Sequence, residues 1–96
     1  MSALHPDVAR TAAMLGELAE LLRRHDMRFW AGKLDLCRKR LENADFYGVT
    51  SLLELYAGRD SLNDIILVGA DQAQLSKLLG DVWRTADKLR AEYEGP

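Results

Sequence analysis

The chain is poor in the residues that break or staple a fold: one cysteine, two prolines and seven glycines in 96 residues, with aromatics at only 7%. A lone Cys37 excludes an internal disulfide and any zinc cage built from cysteines. So few breakers favour long regular elements over a loop-rich scaffold. No apolar run approaches the roughly 18 residues needed to span a bilayer. The first residues also lack a basic start followed by an apolar stretch, the mark of a secretory leader, so a cytoplasmic protein with no membrane partner is expected. No large charge excess of either sign is present: 13 Lys and Arg against 15 Asp and Glu leave −2, which argues against a binder of polyanions. The halves differ. Residues 1–44 carry eight basic and six acidic side chains, a balance of +2, and residues 45–96 carry five and nine, a balance of −4.

Helical periodicity is what fills the chain. Over residues 6–24, Val8, Ala12, Leu15, Leu18, Ala19 and Leu22 recur at helical spacing, with Glu17, Glu20, Arg23 and Arg24 opposite. Pro6 suits the first helical position, and Asp7 and Arg23-Arg24 complement the dipole at either end. A second helix is expected after Asp26, read as its N-cap, with Trp30, Leu34, Cys37 and Leu41 as a stripe ending near Asn43. Gly32 weakens it relative to alanine unless it permits a close helix crossing. Asp45 caps a third helix that runs to about Ala57, where Gly58 stops it. The last helix is expected from Asp71 or Gln72 to Glu92, with Leu75, Leu78, Leu79, Val82, Trp83, Ala86, Leu89 and Tyr93 on one wide face.

Between the third and last helices, Ile65-Ile66-Leu67-Val68 is β-branched enough for a strand, yet no partner strand exists in the pattern. Ser61-x-x-Asp64 is a capping box and points instead to a short helix from Leu62 to about Val68, ended by Gly69, with its apolar residues set into the core. The fold expected is therefore an all-α, single-domain bundle over residues 1–96, with four main helices and one short one.

Catalytic or metal chemistry finds little support. Cys37 shares a face with Leu34 and Leu41, as a buried structural thiol does. His5 and His25 lie at opposite ends of the first helix, outside any metal-ligand spacing. Asp60, Asn63 and Asp64 offer oxygen ligands, but the calcium-loop pattern fails and capping accounts for Asp64. Arg38-Lys39-Arg40 invites a nucleic-acid reading, but three consecutive helical residues spread over about 200° of arc, and the second half is acidic. Phe29, Trp30 and Trp83 read as core or interface aromatics. No phosphate cradle, nucleophile elbow or paired catalytic carboxylate is present, so neither an enzyme nor a cofactor or metal is expected.

The stretch from Leu52 to Leu67, LLELYAGRDSLNDIIL, resembles the signature of a family of short bacterial helical domains of unassigned function, G-G-M-G-S-[FL]-N-D-[LIV]-[VIL]-L. Gly58 falls on the second glycine, Ser61, Asn63 and Asp64 on the S-x-N-D core, and Leu62, Ile65, Ile66 and Leu67 on the apolar positions. Ala57 and Asp60 replace glycines, and Arg59 replaces the methionine. The resemblance implies a helical fold and carries no activity with it.

A small, acidic-leaning helical domain without catalytic groups is expected to bind another protein. The specific expectation is an immunity protein that covers the active site of a cognate secreted toxin, since acidic patches complement basic clefts. The residues expected at that surface are Tyr56, Arg59, Asp60, Asn63, Asp64 and Asp71. The alternative is a self-associating structural or regulatory domain, a homodimer through aromatics. Phe29-Trp30 and Phe46-Tyr47 are sequence neighbours, about 100° apart on a helix, so one of each pair must face outward.

Overall fold

A computed structural model describes residues 5–57 and 60–94. Helix α1 spans Pro6–Arg24, and the Nδ1 of His5 accepts from the Asp7 N–H at 3.1 Å, tying down one of the amides a helix start leaves open. Its inward stripe is Thr11, Ala12, Leu15, Leu18, Ala19, Leu21 and Leu22. Thr11 can be buried because its hydroxyl donates back to the Asp7 carbonyl at 2.7 Å.

Asp26 does not cap the second helix. It sits at φ 58°, just beyond the end of α1, and donates its N–H to the Arg23 carbonyl at 3.0 Å while Met27 N–H reaches the Leu22 carbonyl at 2.9 Å. That bond pair is a Schellman motif, so Asp26 ends α1 through its backbone and its carboxylate stays in solvent. Helix α2 follows at Arg28–Glu42, burying Ala31, Leu34, Cys37 and Leu41. The same motif closes it, with Ala44 at φ 57° and the Asp45 N–H on the Arg40 carbonyl at 2.8 Å.

Helix α3 spans Tyr47–Glu54, introduced by the Asp45 carboxylate, which accepts from the Tyr47 N–H at 3.0 Å. It is shorter than its apolar pattern suggests. Leu55, Tyr56 and Ala57 continue only as tight i to i−3 turns, and the Leu55 carbonyl is taken at 2.9 Å by the N–H of Leu62 as the chain folds back. Gly58, expected to stop this helix, lies outside the described residues.

The expected short helix is one 3-10 turn, Leu62–Asp64. The Asp64 carboxylate reaches back to the Ser61 N–H at 3.0 Å, the firmer half of the capping box, while the Asp64 N–H turns to the Ser61 carbonyl at 3.0 Å. Beyond it the backbone extends: Ile65 and Leu67 point into the core, and Ile66 and Val68 stand 80% and 85% exposed. The β-branched pair prefers the extended conformation, and alternation lets the segment bury two residues without a helix. The N–H of Leu67 is held by the Gln72 side chain at 2.7 Å, and Gly69, at φ 75°, turns the chain into α4, Asp71–Glu94.

Helix α1 packs on α2 and α4, and α3 bridges α2 and α4. The shared core includes Leu15, Leu22, Leu34, Leu52, Leu75 and Val82, with Leu62 contributed by the 3-10 turn. The architecture is all-α, a bundle of four helices with one short turn and no strand among the described residues. No described helix is long and apolar enough to cross a membrane. Trp83 and Tyr93 leave the inner face expected of them and are 43% and 69% exposed. Trp83 follows buried Val82 by one residue, about 100° around the helix, and Tyr93 instead stacks on the ring of Phe46, centroids 3.7 Å apart.

Candidate functional site

Two grooves flank the segment between α3 and α4, and Ile65 lines both. The first, of about 430 Å³, runs between the corner joining α1 to α2 and residues 60–66. Met27, Trp30 and Ile65 give it an apolar floor; Phe29 on one side and Ile66 on the other stand 68% and 80% exposed. The Phe29 and Trp30 rings meet edge to face at 5.5 Å with Phe29 turned outward, and the Lys33 ammonium lies 5.4 Å from the Phe29 centroid. Asp26, Asp60 and Asp64 stand along the same groove, with Arg28 bound to Asp26 at 3.1 Å.

The second groove, of about 510 Å³, lies between the 3-10 turn and α4. Trp83 and Ile65 supply its apolar surface, and Asn63, Gln72, Ser76 and Arg84 its polar groups. Tyr56 is half-buried here and donates its hydroxyl to the Leu79 carbonyl at 2.7 Å. Burial pushes the phenol pKa well above its usual 10.0.

The residues expected at one surface are therefore divided. Asp60 and Asp64 belong to the first groove, Tyr56 and Asn63 to the second. Asp71 belongs to neither: its carboxylate meets His25 Nε2 at 2.8 Å and clasps the start of α4 to the end of α1. Arg59 lies outside the described residues. Sequence reasoning missed Asp26, Phe29 and Ile66 as companions of Asp60, although the Phe29-Trp30 adjacency already required one outward ring. The alternation of Ile65 to Val68 was the available cue to Ile66.

Cys37 is buried beside the Ser51 hydroxyl at 3.7 Å. Burial raises its thiol pKa, an effect partly offset by the Ser51 hydrogen bond and the charges of Arg40 and Lys33. His5, Asp7 and Glu92 also draw together at the far end of the bundle. There the His5 Nδ1 accepts from the Asp7 N–H, its Nε2 faces Glu92 at 3.9 Å, and the Lys88 ammonium holds Asp7 at 3.1 Å. Asp7 is thus already paired with Lys88 at this end of the bundle.

Residues 23–76 match the family described as Domain of unknown function (DUF6966). The chain belongs to that family. The matched region contains every residue lining the first groove, from Asp26 to Ile66, and only part of the second, whose Leu79 to Arg84 wall falls beyond it. No curated protein and no solved structure matches the chain.

Proposed function

We propose that this chain is a non-catalytic protein-binding domain, and specifically a bacterial, cytoplasmic immunity protein that neutralises a cognate secreted toxin by covering its active site. One observation carries the reading: Phe29 and Ile66, 68% and 80% exposed, flank a groove that also holds Asp26, Asp60 and Asp64. Large exposed side chains rimmed by charge are the usual anatomy of a protein contact. Acidic rims accelerate association with basic active-site clefts, the property an inhibitor of a nucleic-acid-directed toxin needs. A rigid helical scaffold presents such a surface with little ordering cost.

The test is co-expression. The product encoded directly upstream in the native genome arrests growth when expressed alone, and co-expression of this chain restores growth, with the two proteins co-purifying one to one. An upstream product that is harmless alone, or whose toxicity persists in the presence of this chain, overturns the reading. Asp60→Lys, a change in an exposed side chain outside any cap, weakens rescue while helical circular dichroism is retained.

A second reading, self-association as a structural domain, is favoured by Tyr47, which is 56% exposed with the Arg40 guanidinium 4.8 Å from its ring centroid. Light scattering separates the two. A concentration-independent dimer that dissociates on Tyr47→Ala supports self-association, and a monomer supports the inhibitor.

A further inference from the structure

The first groove has a composition that selects its occupant. Its floor and flanks are apolar, through Trp30, Ile65, Phe29 and Ile66, so an apolar side chain inserted there takes the exposed Phe29 and Ile66 and the open part of Trp30 out of water together. Among the described residues, its charged lining is three carboxylates against one guanidinium, and that guanidinium is bound to Asp26. A second copy of this chain docked symmetrically on the groove would set these carboxylates against themselves, because a two-fold interface places the same patch on both sides. An anionic lipid surface or a nucleic acid meets the same repulsion. We infer that the groove receives a segment of another protein in which an apolar side chain is flanked by lysine or arginine. The inference deepens the protein-binding reading above and rests on it.

Two of the carboxylates can be neutralised without disturbing the fold. Asp26 closes α1 through its N–H and Asp60 lies at φ 52°; both occupy left-handed backbone positions that asparagine adopts as readily. The carboxylate of Asp64, by contrast, holds the Ser61 N–H and is left in place.

The probe is a phage-displayed library of random dodecapeptides panned against the full chain. Enriched peptides are expected to carry Leu, Ile or Phe between Lys or Arg, and the best of them, as a labelled synthetic peptide, shifts the amide resonances of Phe29, Ile65 and Ile66. The double substitution Phe29→Ala/Ile66→Ser, both at exposed positions, weakens that peptide by at least about ten-fold with unfolding midpoint retained. Asp26→Asn/Asp60→Asn weakens it by at least about three-fold and flattens its dependence on salt. Enrichment of acidic or uncharged peptides, failure to enrich any sequence, or peptides that bind the Phe29→Ala/Ile66→Ser variant equally well would each overturn the inference. So would concentration-dependent shifts of Phe29 and Ile66 in the protein alone, which would mark a second copy as the occupant. Toxin rescue that survives Phe29→Ala/Ile66→Ser would remove the groove from the mechanism and leave the immunity reading standing. Basic-apolar peptides at the groove with a harmless upstream product would do the reverse.

Discussion

Ala44 has its backbone at φ 57°, where Cβ crowds the carbonyl oxygen, and no side-chain group compensates. It stands at the C′ position of α2, the place helices most often give to glycine, and is exposed. Ala44→Gly is therefore expected to raise stability by about 1 kcal/mol, even after glycine's larger unfolded-state entropy, as read from urea unfolding at pH 7. A lower midpoint would mean that Ala44 makes a contact worth more than its strain. The same left-handed geometry at Asp26 and Asp60 explains why residue-level reading failed at Asp26. Aspartate is common both at N-caps and in left-handed turns, and only the Leu22 and Arg23 carbonyls, once formed into a helix end, choose between the two.

At the scale of elements, Gly32 and Gly48 look alike in sequence and behave oppositely. Gly32 was the glycine suited to a close crossing, yet a Cβ there would meet nothing within 4 Å. A Cβ at Gly48 would stand 3.0 Å from Arg40 Cβ, 3.1 Å from the Cys37 carbonyl oxygen and 3.2 Å from Leu41 Cγ, so α3 crosses α2 at this point. Gly32→Ala is expected to stabilise by up to about 1 kcal/mol and Gly48→Ala to destabilise by about 1–3 kcal/mol, measured as paired shifts in urea midpoint. Equal shifts of one sign would remove the crossing argument. Helices α1, α2 and α4 were legible because an amphipathic stripe repeats over several turns in each. The length of α3 and the form of residues 62–68 were not, because so short a stretch fits a helix and an extended strand equally well. The Leu55 carbonyl bonding to Leu62, and the Gln72 side chain bonding to Leu67, decided them.

For the whole molecule, burial of Cys37 and Tyr56 sets an upper pH limit. Both pKa values are raised on folding, above the usual 9.0 of the thiol and 10.0 of the phenol. In each case the folded chain holds a proton that the unfolded chain releases, so unfolding is favoured as pH rises past the unfolded value. The contribution is complete below pH 9, declines from there through Cys37, and declines further above pH 10 through Tyr56. Urea midpoints should fall from pH 9 to 11. Tyr56→Phe should cost about 1 kcal/mol at pH 7, where the bond to the Leu79 carbonyl is lost, and should make the decline above pH 10 shallower. An unchanged slope in that variant would show that Tyr56 ionises freely in the folded chain.

The all-α architecture, the bounds of α1, the burial of Cys37 and the Ser61–Asp64 box were already determined by sequence, because each depends on residues within a few turns of one another. The candidate surface was determined only in part. Asp60 and Asp64 were expected at a surface and line one groove, but their neighbours Phe29 and Asp26 lie more than thirty positions earlier in the chain and come beside them only when the corner between α1 and α2 packs against residues 60–66. Tertiary packing likewise drew Asp71 away to His25 and put Tyr56 on the far side of Ile65. Local hydrogen bonding and periodicity act along the chain and can be read there. Which side chains share a groove depends on helix crossings, and those follow from the fit of the core as a whole.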